Sequence, residues 1–295
     1  MSLAREAAPV CPLCAGAGRF CIAQPDTYLQ LRPEIYHPYH SCDTCRHLFQ
    51  PVIDTALLLS FYPPSYYSGA DTGGLARMRQ ANRARSVEWR ARKGRALDVG
   101  CGRGLVLEQL RRRGWQVWGM DWNAENARAV ATRLNIEVAA GPEGLASLEA
   151  ESFDSISMFH VLEHEQQPLD LLHRVQRLLK PGGRLLVAVP RADSAARALF
   201  GRHWSGYDFA RHRQVFSARS LERALLQTGF ELERLTGRFS DELIDVYRSA
   251  QLFLRSRRIA NPALVAATAL AAAALLGLPR LLGGNSVMYA YARRQ

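Results

Sequence analysis

The densest chemistry in this chain lies in Asp98-Val99-Gly100-Cys101-Gly102-Arg103-Gly104. An acid sits in the short apolar run at 96–99, three glycines follow at alternate positions, and Leu105 opens a helical pattern. A Gly-rich turn between strand and helix lets a ligand approach the backbone, and the helix start offers unpaired N–H groups. The spacing Gly100-x-Gly102-x-Gly104 departs from the G-x-G-x-x-G of a dinucleotide turn. Asp98 would repel a pyrophosphate, whereas a cationic sulfonium with an amino-acid tail would tolerate or use the carboxylate. Asp121, 17 residues after Gly104, ends a second apolar run. An acid there accepts hydrogen bonds from ribose hydroxyls. Trp122 follows, either to lie against an adenine or to cap the core.

A second cluster opens the chain. Cys11-Pro12-Leu13-Cys14 and Cys42-Asp43-Thr44-Cys45 are two C-x-x-C knuckles with 27 residues between them. Cys11, Cys14, Cys42 and Cys45 match a closed tetrahedral Zn2+ site, a structural staple with no open position. Cys21, His37, His40 and His47 are spare ligands if one cysteine is not used. A redox dithiol would explain one pair but not both.

Acid–base candidates come later. Phe159 and His160 end an apolar run at 153–159, the edge where open α/β sheets bind ligands. His160 is a candidate general base, with cofactor orientation or packing as the plainer roles. His164 is four residues on, but a metal pair with His160 lacks a third ligand nearby in sequence, so it is set aside. The run at 204–217 mixes aromatic, charged and glycine residues, as a substrate pocket requires. Within it Asp208 and His212 read as an acid–base pair for a hydroxyl acceptor, or as an ion-paired bend.

These residues need elements to hold them. The pattern alternates strand and helix from residue 96 to residue 235. Strands are expected at 96–99, 115–121, 136–140, 153–159, 184–190 and 230–235, with a last strand at 287–292. Helices are expected at 105–113, 124–134, 169–179 and 217–228, and a short one at 194–200. Asn123 is placed to cap its helix, and Gly114 and Gly229 to end theirs. Lys180-Pro181-Gly182-Gly183 reads as a stop between helix and strand. Ahead of the sheet come a short helix at 55–61, a Tyr- and Pro-rich stretch at 62–69 and a polar helix at 75–92. The stretch at 62–69 suits either a lid that excludes water or a packed linker. The reading divides the chain into a four-cysteine zinc-binding segment at 1–50, a linker with helix or lid at 51–93, and a cofactor domain at 94–295.

The glycine turn, together with Phe159-His160-Val161-Leu162-Glu163-His164 and Leu178-Leu179-Lys180-Pro181-Gly182-Gly183, resembles the class I S-adenosylmethionine-dependent methyltransferases in order and interval. The likeness covers about residues 87–230. It implies a Rossmann-like seven-stranded sheet with helices on both faces and an antiparallel last strand, preceded by a small zinc-ribbon-like segment. It implies S-adenosyl-L-methionine held by Asp98, Gly100, Cys101, Gly102, Gly104, Asp121, Trp122 and Phe159. The family often has an acid after the third strand for the adenine amino group. This chain has Gly141-Pro142-Glu143-Gly144 instead, so either Glu143 would serve from a shifted position or the backbone would do so. Some members, including sugar C-methyltransferases, carry a Cys-rich zinc segment. The expected activity is methyl transfer to an oxygen or carbon nucleophile of a small-molecule or lipid-linked acceptor. The rivals are an inactive zinc-knuckle scaffold, an RNA or protein methyltransferase, and an NAD-dependent oxidoreductase.

Composition bounds the partners. The 295 residues are 48% hydrophobic and 22% charged, with a net charge of +11. That is enough chain for a large core. The positive field suits a phosphorylated substrate or an anionic membrane surface, and no basic run is interleaved with aromatics as in a nucleic-acid groove. The 19 uncharged residues at 261–279 follow a basic stretch, Arg255-Ser256-Arg257-Arg258. The segment at 261–283 reads as a buried or dimer-forming helix, as a membrane-surface contact, or, against the fold, as a span. No apolar signal core follows Met1, so a reducing cytoplasmic setting is expected, with peripheral contact on the inner membrane face as its variant.

Overall fold

The computed structural model describes residues 8–63, 74–277 and 284–295, with the backbone alone at 74–76. The expectations for 64–69 of the Tyr- and Pro-rich stretch, and for 278–283 of the apolar segment, lie outside these residues.

Seven strands form the main sheet. They are β4 (Arg95–Val99), β5 (Gln116–Asp121), β6 (Val138–Ala140), β7 (Phe153–Phe159), β8 (Leu179–Pro190), β10 (Phe230–Thr236) and β11 (Val287–Arg294). Their order is β10-β11-β8-β7-β4-β5-β6. Strands β6, β5, β4, β7 and β8 run parallel, and β11 is antiparallel to both neighbours. This is the expected Rossmann-like α/β sheet. Its central strands β4, β7 and β8 are buried on both faces, which is why they read as continuous apolar runs. The carboxyl ends of β4, β5 and β7 therefore share one edge, with the glycine turn, Asp121 and His160 on it.

Helices cover both faces. In chain order they are α1 (Thr55–Leu59), α2 (Gly74–Val87), α3 (Leu105–Arg112), α4 (Ala124–Leu134), α5 (Pro168–Leu178), α6 (Ala195–Phe200), α7 (Ala218–Gln227), α8 (Phe239–Arg255) and α9 (Pro262–Leu275). Local chemistry sets their ends. Asn123 accepts from Asn126 N, and Ser217 with Ser220 closes a reciprocal capping box before α7. Pro168 opens α5, where its missing N–H costs nothing.

Three expectations shift. The stop at Lys180–Gly183 is no separate loop, because β8 begins at Leu179 directly after α5. The register jumps from Phe153↔Leu179 to Ser155↔Arg184, so a bulge absorbs those residues. The helix expected to reach residue 92 ends at Val87, and Arg90 takes a left-handed φ of 53° to turn the chain into β4. The 17-residue α8 had no counterpart in the sequence reading.

A second sheet has the order β1-β2-β3-β9, from β1 (Gly18–Gln24), β2 (His37–Cys42), β3 (Leu48–Phe49) and β9 (Gln214–Val215). Phe49 and Leu48 pair with Gln214 and Val215, so the Cys-rich segment is hydrogen-bonded to the stretch at 204–217. One apolar core joins Cys11, Leu13 and Phe49 with Leu97, Ile156 and Phe216.

The apolar helix α9 packs with Val246 and Ala250 of α8 through Ala269 and Ala272. Leu270 is 71% and Leu275 70% exposed, so burial of α9 is one-sided. Among the described residues no helix is long and apolar enough to cross a membrane.

Candidate active site

The glycine turn leaves β4 with Gly100, Gly102 and Gly104 at φ of 67°, 50° and 66°. L-residues adopt this region at a cost, so the turn selects glycine. A Cβ at Gly100 would collide with Val161, and one at Gly104 would come within 2.7 Å of Val130 Cγ1. At Gly102 a Cβ would meet nothing within 4 Å. The turn thus packs tightly at its ends and leaves open space at its middle. Gly104 caps α3 with no side-chain acceptor, which leaves first-turn N–H groups to a ligand.

Two buried acids flank this space. Asp121 Oδ2 accepts from Gly102 N at 2.9 Å and Oδ1 from Asn123 N at 2.9 Å. Burial raises its pKa against those two donors. Asp98 accepts from Ser157 Oγ at 2.6 Å. Burial pushes the Asp98 carboxyl up to about 7, with Ser157 and Arg83 opposing. Trp122 lies across the turn, 3.7 Å from the place of a Gly100 Cβ. Phe159 is covered by the Arg83 guanidinium at 5.0 Å, a contact with no signal in the sequence reading. Cys101 is buried, and burial drives its thiol pKa up, so it is an inert wall. Glu143 is exposed in the turn after β6, a turn whose Gly141 N donates to the Asp121 carbonyl at 3.0 Å.

The neighbouring strand β7 delivers His160 with a left-handed φ of 57°. Such strain in a non-glycine residue marks a side chain held in place by its surroundings. His160 Nδ1 lies 3.1 Å from Glu163 Oε1. The ring is 33% exposed and Glu163 is fully buried. Burial disfavours the Glu163 carboxylate, but the His160 hydrogen bond and charge outweigh it and lower its pKa. A single 3-10 turn, Leu162–His164, follows, so His160 and His164 share no helical face.

The Asp208–His212 pairing is not formed. Arg211 takes the Asp208 carboxylate through Nε at 2.9 Å and Nη2 at 2.7 Å, and reaches Asp26 at 3.0 Å. One hydrogen bond and a second ion-pair contact hold the carboxylate on a permanently charged guanidinium, which outcompetes the imidazole here. His212 Nδ1 instead donates to Gly206 O at 2.9 Å. Its ring stands edge-on to His164 at 4.7 Å. His164 Nδ1 is 2.9 Å from Tyr62 Oη and 3.3 Å from Arg211 O. Burial, then the His212 charge, lowers His164 to about 4. The ligand atoms of Glu163, His164 and His212 all lie within 4.8 Å of one another. Sequence reading missed Glu163, whose only signal was its place between two histidines.

The four cysteines do converge. Sγ–Sγ separations are 3.7 Å for Cys11–Cys45, 3.4 Å for Cys14–Cys42 and 3.5 Å for Cys14–Cys45. A tetrahedron with zinc–sulfur arms of about 2.3 Å has edges of about 3.8 Å, so the cluster is able to chelate a metal. Gly16 is required beside it, since a Cβ there would come within 3.0 Å of Cys42 Sγ. Burial raises the Cys42 thiol, but the Cys45 N–H and its neighbours more than reverse this and bring it to about 7. The spare ligands stay apart. Cys21 is exposed on β1, and His47 is held 2.7 Å from Gln214 Oε1.

Residues 75–235 match the family described as "Methyltransferase domain". The ubiquinone biosynthesis O-methyltransferase of Alkalilimnicola ehrlichii is 39% identical over 98 residues, 31% of this chain and 40% of that protein. That of Nitrosococcus oceani is 35% identical over 173 residues, 52% of this chain and 70% of that protein. Among solved structures, a SAM-dependent methyltransferase from Archaeoglobus fulgidus superposes with a TM-score of 0.52 at 19% identity, covering 82% of this chain and all (100%) of that one. The [4+2]-cyclase SpnF superposes with a TM-score of 0.51 at 20% identity, covering 74% and 80%. These two likenesses show the fold alone.

Proposed function

Because this chain belongs to the methyltransferase-domain family, we propose that it transfers a methyl group from S-adenosylmethionine to an oxygen or carbon nucleophile of a small-molecule or lipid-linked acceptor. The observation that carries the reading is the His160–Glu163 pair at the end of β7, one strand from the glycine turn.

The donor site fits the cofactor in its chemistry. The open space at Gly102 admits a ligand to the backbone, and Asp98 matches a cation better than a phosphate. Gly100, Gly102, Gly104 and the buried Cys101 would form the floor, Asp121 would take ribose hydroxyls, and Trp122 and Phe159 would bound the apolar parts. Glu143 would reach an adenine amino group only from its exposed turn. Bound S-adenosylmethionine supplies an activated methyl group on a sulfonium.

The acceptor side then needs a base. His160 Nδ1–H donates to Glu163, which leaves Nε2 free to take a proton from the acceptor. The Glu163 carboxylate stabilises the imidazolium that forms. Asp208 serves by fixing Arg211 and, through it, the stretch that holds His212. The four-cysteine cluster would hold a structural zinc ion, closed to substrate. Exposed Leu264, Leu270 and Leu275 on α9, a helix preceded by exposed Arg255, Arg257 and Arg258, support delivery of a lipid-linked acceptor at an anionic membrane surface.

Calorimetry with S-adenosylmethionine and its demethylated product tests the donor side, and labelled methyl uptake into phenolic, sugar and lipid acceptors tests the transfer. Micromolar binding of both ligands with uptake into one acceptor class is expected. Absence of binding to either would overturn the reading.

A further inference from the structure

We propose that Glu163, His164 and His212 form a binding site for a divalent transition-metal ion, separate from the four-cysteine cluster. The residues come from two segments far apart in the chain, yet their ligand atoms lie within 4.8 Å of one another. An ion with arms of about 2.1 Å sets its ligands roughly 3–4 Å apart, so small side-chain adjustments bring all three onto it.

The second observation is an orphaned charge. Glu163 is fully buried, and its Oε2 has no hydrogen-bond partner, while Oε1 is used by His160. An unsatisfied carboxylate oxygen in the interior is costly unless a cation faces it. The His212 ring presents a matching lone pair. His212 Nδ1 donates to the Gly206 carbonyl, which leaves Nε2 as an acceptor. His164 Nδ1 faces both the Tyr62 hydroxyl at 2.9 Å and the Arg211 carbonyl at 3.3 Å. Metal-ligating histidines are held in this way, with the other ring nitrogen on a carbonyl.

The two segments are locked together. Arg213 N donates to Glu163 O at 2.7 Å, and the His212 carbonyl accepts from Tyr39 Oη at 2.7 Å and from Gln50 Nε2 at 3.1 Å. Two imidazoles and one carboxylate suit Zn2+, Mn2+, Fe2+ or Co2+ and leave coordination positions open. On the methyl-transfer reading, which this point rests on, the open position would hold an acceptor hydroxyl. Its O–H proton passes to His160, the oxygen forms the bond to the methyl carbon, and the carbon–sulfur bond breaks with its electrons left on sulfur.

The test uses the full chain with zinc loaded on the four-cysteine cluster and excess zinc removed. Mn2+ binding is followed by electron paramagnetic resonance, without cofactor or acceptor. One Mn2+ per chain is expected, bound at least about 100-fold more weakly in His212→Gln and in Glu163→Gln, since even outer-shell changes cost about 10- to 100-fold. Thermal melts confirm that the variants fold, and His164→Gln serves where one does not. No bound Mn2+ in the wild type, or equal binding in folded variants, overturns the site. S-adenosylhomocysteine is titrated separately, so failure of the methyl-transfer reading shows there while the Mn2+ result still decides the metal site.

Discussion

At the scale of the residue, the decisive quantity is the charge on Asp98. Burial holds its carboxyl at about 7, far above an exposed aspartate near 3.9. A cationic sulfonium cofactor held there, as proposed, would bind the ionised form better and lower that pKa. Binding below pH 7 should therefore release up to one proton, and affinity should rise from pH 5 to pH 7. Calorimetry in buffers of different ionisation enthalpy reads the proton directly, and Asp98→Asn should flatten the profile. The stability effect has the opposite sign. A raised carboxyl pKa contributes stability in full below about 3.9, and the contribution is lost as pH rises through 7. Asp98→Asn should thus gain on the wild type in cofactor-free melts between pH 5 and pH 8. His160 gives a second residue-scale outcome. His160→Gln should lower kcat by about 100- to 10,000-fold while binding of S-adenosylhomocysteine stays within a small factor.

At the scale of the element, the short strand pair β3–β9 matters most for the site. It is two residues deep on each side, yet it fixes the segment that carries His212. His47 reinforces it, with Nε2 2.7 Å from Gln214 Oε1 and Nδ1 3.3 Å from Ser220 Oγ. His47→Ala should cost about 1–3 kcal/mol in denaturant titrations, because it removes the partner of the buried Gln214 carbonyl. Burial lowers His47 to about 4, so this element loses stability as pH falls from about 6.5 toward 4. The four-cysteine cluster is packed into the same segment. If the cluster holds the proposed zinc, its removal by a chelator should raise amide exchange at 48–49 and 214–215 before it affects 156–158. Equal exchange at all three would mean that the cluster does not brace the site.

At the scale of the whole molecule, the apolar core runs without a break from Cys11 and Phe49 to Leu97 and Phe216, so the cysteine knuckles and the strand before the glycine turn share one packed interior. Exposed Leu270 and Leu275 lie on α9, and exposed Arg255, Arg257 and Arg258 precede its start. Their basic charge should draw the protein to vesicles rich in phosphatidylglycerol, with binding that falls as salt shortens the Debye length. Flotation that ignores both lipid charge and salt would remove the electrostatic part of this account.

Much of this protein was legible in its residues. The glycine turn, the acids at 98 and 121, the apolar strands and the cap at Asn123 are local signals, because backbone conformation and periodicity act over a few neighbours. The two C-x-x-C knuckles were legible for the same reason. Their convergence within 3.4–3.7 Å needed only a hairpin between them. The acid–base side depended on contacts between distant segments. Asp208 and His212 sit close in sequence, but Arg211 between them outcompetes the imidazole for the carboxylate. The imidazole that meets Glu163 and His164 arrives from residue 212, beside the backbone bond that joins 163 to 213. Local chemistry thus determined the donor half of the site. Only the tertiary structure decided which histidine meets which carboxylate, because those pairs are set by where separate loops pack.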